Sequence, residues 1–407
     1  MPFKLMVTRS QLNRSRRLKT DSRNGKYHRR SPRLLFQYTG SLIRIPVGTA
    51  SRSYDVLVER GLLSRSAALL RDVLPSASRI FVVTSKPIRK HWGKALQKGL
   101  GQKPRETELL EMPDGERAKR LSQMEKLAEE LVQRGADRRS VILALGGGVV
   151  GDVGGFLASV FMRGVPVVQI PTTLVAQVDS AIGGKTGVNL LTGKNLLGTF
   201  HQPLCVLVDP EVLSTLPERE YRSGLFEAMK YGVIRNPSIF ELMESSRERL
   251  IRRDAKTLEK LIANCIQVKA DVVSADERES GERRILNFGH TIGHALEAET
   301  GYSELLHGEA VGWGMIAAAG MGVTMKVTTQ ETANRIRQLV FSYGHLPKID
   351  VQPRRILKRL KSDKKTVGGV PHFILAREIG EVEVVNTVPE SAVLQAVIEL
   401  NRLSKNQ

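Results

Sequence analysis

Five consecutive apolar residues, Val141-Ile142-Leu143-Ala144-Leu145, run directly into Gly146-Gly147-Gly148-Val149-Val150-Gly151-Asp152. An unbroken apolar run this short, closed by glycine, reads as a strand buried on both faces. Such a strand needs helices above and below it, which restricts the region to a layered α/β sheet. The glycines fit GxGxxG and precede a helix expected from Val153. In that setting backbone N–H groups and a helix N-terminus can cradle a pyrophosphate. The motif departs from the dinucleotide fingerprint, because Gln169 and Ile170 stand where an acid is expected and the strand is not the first of its sheet. A tight helix–strand crossing is the alternative reading of the same glycines.

The sequence before it has the same texture. Leu42–Ile45 and Tyr54–Val58 alternate like strands, and Arg79–Thr84 reads as a buried strand followed by a helix from about Pro87. Thr107–Glu111 is a further strand, ending in the turn Pro113-Asp114-Gly115-Glu116, and Arg120–Arg134 is an amphipathic helix. Val167–Thr173 gives one more strand with two hydroxyls at its end. Glycine-rich loops then carry Asp179, Lys185, Lys194 and Asn195, residues suited to phosphate or carboxylate, though a single lysine of this kind is more often a solvated one. After Pro217 helical periodicity dominates, through Glu218–Tyr231, Pro237–Ile251, Ala255–Asp276, Thr291–Thr300, Ala310–Lys326 and Thr329–Ser342. A strand pair near His372–Ala376 and Glu381–Val385 and a helix from Glu390 close the chain. The expected fold class is an α/β N-terminal domain (41–216) with a mainly parallel, Rossmann-like sheet, then a mostly α-helical domain (217–407).

The second half holds the densest chemistry. Arg283–Ala310 contains three of the chain's eight histidines. His290 and His294 are four apart, so a helix projects both from one face, and His307 follows just before Gly308 and Glu309. Glu227 and Lys230 are three apart in GLFEAMKYG. Imidazoles plus a carboxylate form a divalent-metal set with a position left for substrate. Spacing alone nominates His290 and His294, but Thr291 stands where a zinc-protease helix has its glutamate. Histidines that cap or fill a helical core are the bland alternative.

Composition describes a globular chain: 407 residues, 41% hydrophobic and 26% charged, with two cysteines that suggest no disulfide framework. The longest uncharged apolar run, Ala310–Met325, is short of the ~20 residues a membrane span needs. The net charge is +20, yet residues 1–40 hold eleven Lys or Arg and one acid, Asp21, and so carry half of it. That segment reads as a disordered extension; an organelle transit peptide and an electrostatic binding arm are the alternatives. The remaining, moderately basic body suits an anionic substrate and argues against nucleic acid as partner, since it lacks aromatic–basic interleaving.

With the motifs assembled, the chain resembles the 3-dehydroquinate synthase family from about Leu42 onward. The resemblance rests on PDGERAK, LGGGVVGDVGGF, FMRG, IPTTLVAQVDSAIGGKTGVN, GKNLLGTFHQP, GLFEAMKYG, ADERESGERRILNFGHTIGHALE, LHGEAV and SDKK. It implies tightly bound NAD, one divalent metal (zinc, or cobalt), and 3-deoxy-D-arabino-heptulosonate 7-phosphate as a phosphorylated sugar-acid substrate in a cytoplasmic, aromatic-biosynthetic setting. By motif, it implies Glu227, His290 and His307 as metal ligands. Asp114, Gly115, Glu116 and Lys119 fall to the cofactor's ribose and nearby groups. Gly148, Val149, Val150, Gly151 and Asp152 fall to the pyrophosphate. Thr172, Thr173, Lys185, Lys194, Val212, Leu213, Ser214 and Thr215 fall near the cofactor. Asp179, Lys185, Asn195, Lys230, Lys269, Arg283, Asn287, His294 and Lys364 then line the substrate pocket, and Arg163 reaches a neighbouring subunit's phosphate site in a homodimer. One departure is visible at Thr84-Ser85-Lys86, where many relatives carry an Asp or Asn against the adenosine ribose.

The implied reaction is a redox cycle without net redox change: oxidation at carbon 5, phosphate elimination, return of the hydride, and an intramolecular aldol step. A sister cyclase acting on sedoheptulose 7-phosphate is the nearest alternative; Arg283, Asn287 and Lys364 favour the carboxylated substrate. The metal-dependent alcohol and glycerol dehydrogenases are a wider one.

Overall fold

Alternate residues of the central strands feed two different cores. Val82, Leu143, Leu145, Val168 and Ile170 pack into the larger cluster, while Phe81, Val83, Ile142, Ala144 and Val167 pack into a second one on the opposite face. Side chains alternate across a strand, so two apolar faces demand an unbroken apolar sequence, which is why these strands read as runs rather than as alternations. The computed structural model describes residues 37–39, 42–74, 77–101, 107–362 and 372–407. The expectations for residues 1–36 and for Lys364 lie outside the described residues.

In chain order the strands are β1 Gln37–Thr39, β2 Leu42–Gly48, β3 Ser53–Val58, β4 Ile80–Ser85, β5 Thr107–Met112, β6 Val141–Gly146, β7 Val167–Pro171, β8 Lys185–Leu190, β9 Gly193–Phe200, β10 Cys205–Val208, β11 Phe373–Glu378 and β12 Glu381–Val385. Eight form one sheet in the order β1-β2-β3-β10-β7-β6-β4-β5. The pairs from β3 to β5 are parallel, and β1–β2 and β2–β3 are antiparallel. The expected mainly parallel sheet is present. Its antiparallel edge begins at Gln37, ahead of the sequence boundary at residue 41, and Cys205–Val208 adds a central strand that four residues were too few to announce.

Four further elements differ from expectation. The helix after β6 spans Gly148–Val160, so it starts inside the glycine motif rather than at Val153. Glycine's poor helix propensity hid its first turn, which packing against the sheet supplies. The lysine-bearing glycine loops form a hairpin, β8 with β9, paired from Lys185↔Phe200 to Leu190↔Gly193. The expected helix Pro237–Ile251 is broken into Pro237–Ser245 and Arg247–Ile251. A helix at Pro353–Ser362 was not anticipated.

The helical half follows the expected pattern: Glu218–Ile234, Ala255–Ala275, His290–Glu299, His307–Thr324, Gln330–Ser342 and Glu390–Lys405. The larger core cluster is continuous from β2 and β3 into these helices, through Leu261, Ile266, Trp313, Met315 and Val397. Among the described residues, no helix is long and apolar enough to cross a membrane.

The helices His290–Glu299 and His307–Thr324 cross at backbone contact. A Cβ at Gly314 would lie 1.8 Å from the carbonyl oxygen of Gly289, and one at Gly293 would lie 2.9 Å from that of Ala310. No side chain can give way there. Gly314→Ala is therefore expected to force the helices apart and cost roughly 1–3 kcal/mol. Urea unfolding checks this; an unchanged midpoint would show that the crossing is looser than described.

Candidate functional site

The parallel strands β4, β5, β6 and β7 all end on one side of the sheet, and the groups that follow them open a cleft of about 1040 Å³. Ligands of open α/β sheets sit outside the carboxyl ends of strands. Asp114, Gly115, Glu116 and Lys119 after β5 line the cleft, as do Gly148, Val149, Val150 and Asp152 after β6 and Thr172, Thr173 and Asp179 after β7. Lys185, Lys194, Asn195 and Thr215 join them, and from the helical half so do Lys230, Lys269, Arg283, Asn287, His290, His294 and His307.

Some expected residues are elsewhere. Gly151 does not line the cleft; a Cβ there would meet Gln169 Oε1 at 2.9 Å, and Gln169 Nε2 donates to its carbonyl at 3.0 Å. The glycine motif thus divides, with Gly148 at the cleft and Gly151 serving the helix–sheet crossing. Val212 and Leu213 are buried in the turn Pro210–Thr215, and Ser214 is exposed, so none of the three lines the cleft. Asp209 holds that turn by accepting from Glu211 N at 2.9 Å. Arg163 is exposed with φ 69°, outside the cleft of its own chain.

The cleft floor is a charged core. Glu227 is fully buried on the helix Glu218–Ile234, with Oε1 3.5 Å from His290 Nε2 and 3.2 Å from His307 Nε2, and Oε2 2.7 Å from Lys230 Nζ. Neither carboxylate oxygen meets a donor in good hydrogen-bond geometry. A buried carboxylate left so is costly unless a further cation completes it. The ring nitrogens of His290, His294 and His307 lie within 4.8 Å of one another. His290 Nδ1 donates to the Phe288 carbonyl at 3.1 Å and His307 Nδ1 to Glu297 Oε2 at 3.3 Å, which turns both Nε2 atoms to the same point. One carboxylate, convergent imidazoles and an outer shell fit a divalent metal of the zinc or cobalt type.

Burial, with the Lys230 ammonium, pushes His290 down to about 3, which keeps it a neutral donor. Burial would lower His307 as well, but the carboxylates of Glu227 and Glu297 at its two nitrogens outweigh it and raise it to about 10. Burial would raise Glu227, yet Lys230, His290 and His307 hold it well below the usual carboxylate range.

Asp179 joins the two halves of the cleft. Its Oδ1 accepts from Lys269 Nζ and from Tyr231 Oη, each at 2.6 Å, with Lys230 Nζ at 3.9 Å. Burial pushes Lys269 down to about 8 against the pull of Asp179, with Arg283 and Lys230 adding repulsion. Nearby, Glu279 pairs with Lys185 and accepts from Asn287 Nδ2 at 2.7 Å. Arg283 is buried and donates to the Gly183 carbonyl at 3.2 Å. On the cofactor side Lys119 pairs with Asp152 and Asn195, while Asn189 Nδ2 donates to Glu116 Oε1 at 2.6 Å.

Sequence reading missed Glu297, Glu279, Tyr231 and Asn189. Glu297 had a signal, being three residues beyond His294 and so on the same helical face. Glu279 had none, because its place depends on a backbone φ of 61°.

The fold and the cleft define the class. A 2-epi-5-epi-valiolone synthase from Streptomyces hygroscopicus subsp. jinggangensis, solved with NAD+ and Zn2+ bound, superposes with a TM-score of 0.80 at 31% identity over 86% of this chain and 98% of its own. A 2-deoxy-scyllo-inosose synthase, solved with carbaglucose-6-phosphate, NAD+ and Co2+, gives 0.80 at 28% identity over 88% and 99%. The class is that of the sugar phosphate cyclases. Profiles of the 3-dehydroquinate synthase N-terminal and C-terminal regions match residues 109–223 and 224–366. A 3-dehydroquinate synthase from Koribacter versatilis is 58% identical over 361 residues, 89% of this chain and 99% of the relative. The chain belongs to the 3-dehydroquinate synthase family.

Asp152 is half-buried at the cleft wall beside the buried Lys119, and burial raises it while that ammonium lowers it. Lys119→Met is expected to leave a carboxylate without its cation and lower stability by about 3 kcal/mol. Urea unfolding of the ligand-free protein tests it; a loss under 1 kcal/mol would mean that water or Asn195 replaces the lysine.

Proposed function

We infer that the chain is a 3-dehydroquinate synthase, converting 3-deoxy-D-arabino-heptulosonate 7-phosphate to 3-dehydroquinate and phosphate in the shikimate pathway. Curated relatives of that name at up to 58% identity support this reading over the sedoheptulose 7-phosphate alternative. The observation that carries the mechanism is the buried Glu227 carboxylate facing His290 and His307 at the floor of the cleft onto which the glycine helix opens.

Glu227, His290 and His307 would hold the divalent metal, and Asp114, Glu116, Lys119 and the N-terminus of Gly148–Val160 would hold NAD. Bound there, NAD supplies a hydride acceptor and donor for carbon 5, and the metal supplies Lewis acidity at the neighbouring oxygens. The chain's own residues do the rest. Lys230, His294 and Asn195 surround the leaving phosphate with positive charge and donors, which stabilises charge as it develops. Arg283, Asn287 and Lys364 take the carboxylate, with Arg283 suited to bidentate contact. Asp179 accepts from a sugar hydroxyl and keeps Lys269 in place. No side-chain base is assigned to the elimination, because the leaving phosphate can take the proton itself. For the aldol step the cleft's contribution is to hold one conformation.

We also propose a homodimer, in which the exposed Arg163 serves the phosphate site of the neighbouring copy, and residence in the cytoplasm, where the buried thiols Cys205 and Cys265 stay reduced. Phosphate release from the heptulosonate phosphate, with and without chelator, tests the reaction; no release by the metal-replete protein would reject it. Glu227→Gln is expected to weaken zinc binding at least about 100-fold while NAD still binds, read by chelator competition and by nucleotide titration. Retained zinc affinity would remove Glu227 from the ligand set.

The Lys269 ammonium is present below about pH 8 and is lost as pH rises through that value. Substrate anions lose a partner on the alkaline side, so kcat/KM is expected to fall above pH 8, approaching about tenfold per unit. Lys269→Arg should carry the limb upward. A profile flat to about pH 9.5 would exclude Lys269 from substrate binding.

A further inference from the structure

We propose that Tyr231 is the positioning residue that fixes Asp179 for the sugar. Tyr231 is fully buried on the helix Glu218–Ile234, directly after Lys230 and one turn beyond Glu227. Its hydroxyl donates to Asp179 Oδ1 at 2.6 Å. Its ring lies beneath the neighbouring ammonium, with Lys230 Nζ 5.0 Å from the centroid. One side chain therefore touches both an acid and a cation of the cleft without lining it.

The division of donors on Asp179 gives this contact its meaning. Lys269 Nζ and Tyr231 Oη both meet Oδ1, and Lys230 Nζ approaches the same oxygen at 3.9 Å. Among the described residues no donor meets Oδ2, and Asp179 lines the cleft. The carboxylate is thus anchored through one oxygen and offers the other to a ligand. Two of its anchors are lysines that a phosphorylated, carboxylated sugar also attracts. When substrate draws on Lys230 and Lys269, the tyrosine hydroxyl is the anchor left, because it is neutral and too deeply placed to turn to the ligand. A buried tyrosine hydroxyl needs an acceptor in any case, so the pair is mutually fixed. Asp179 then keeps its charge and its direction through turnover, and Oδ2 stays aimed at a sugar hydroxyl.

The Glu218–Ile234 helix carries three consecutive jobs by its own periodicity. Glu227 and Tyr231 are four apart and Glu227 and Lys230 three apart, so all three share a face. Tyr231 ties that face to Asp179, the residue that follows β7 on the α/β side. The contact sets the distance between the two walls of the cleft where the sugar ring must fit.

The test is a double-mutant cycle of Tyr231→Phe and Asp179→Asn in the metal-replete protein, read by single-turnover phosphate release from the heptulosonate phosphate. Tyr231→Phe keeps the ring and is expected to lower kcat/KM roughly 10- to 100-fold, the scale of one hydrogen bond to a charged group. NAD retention and metal content should equal wild type. In the Asp179→Asn background the same change should cost less than about twofold, because the tyrosine acts through the carboxylate. Equal penalties in both backgrounds would make Tyr231 a packing residue and overturn the proposal, as would an unchanged kcat/KM in Tyr231→Phe alone. Tyr231→Met, which removes hydroxyl and ring together, repeats the cycle if the phenylalanine variant does not fold. The inference rests on the synthase reading, and the two fail separately. A wild-type protein that releases no phosphate sinks that reading, whereas an active wild type with a silent Tyr231→Phe sinks this one alone.

Discussion

Enclosing the Glu227 carboxylate is the act on which the rest of the helical half depends. A charge removed from water costs several kcal/mol unless other charges meet it. Lys230 meets it on one side, and His290 and His307 on the other. Each of those partners needs its own support, and the support radiates outward. His290 is held by the Phe288 carbonyl, His307 by Glu297, and Glu297 in turn by Lys194 at 3.0 Å from the β8–β9 hairpin. Lys230 leans on Asp179, which leans on Lys269 and Tyr231. A buried polar network of this kind has few alternative arrangements, and that narrowness is what a site with fixed donor geometry requires.

The fold was readable where packing and sequence follow one rule. Strands such as Val141–Gly146 are covered on both faces, so their apolar runs are direct evidence of their place. The long helices of the second half show their apolar faces in the 3.6-residue period. What escaped reading follows other rules. The first turn of Gly148–Val160 is helical because the sheet and turn hold it, against glycine's own preference. The β8–β9 hairpin is a two-stranded ribbon whose glycines and lysines give no alternation. Pro353–Ser362 hid its apolar residues Ile356, Leu357 and Leu360 among five Lys and Arg.

The site was legible to the same partial degree. His290 and His294 announce themselves by spacing, since a helix converts four residues into one face. His307 and Glu227 lie on other helices, and nothing local says that they meet; the family resemblance supplied that. Glu297 could have been found from His294 by the same helical arithmetic. Glu279 and Tyr231 could not, because their partners, Lys185 and Asp179, come from segments about 50 to 90 residues away. Chemistry assembled across long loops leaves no periodic trace.

The backbone crossing at Gly289 and Gly314 has a consequence for how such a protein can drift in sequence. His290 and His307 begin two helices whose separation is set where Gly314 and Gly293 rest on the main chain of Gly289 and Ala310. Leucines and methionines elsewhere in the interior can be exchanged and repacked while that spacer keeps its length. The gap between the two imidazoles is therefore insulated from most of the surrounding hydrophobic variation, and its tolerance is concentrated in a few positions where only hydrogen fits.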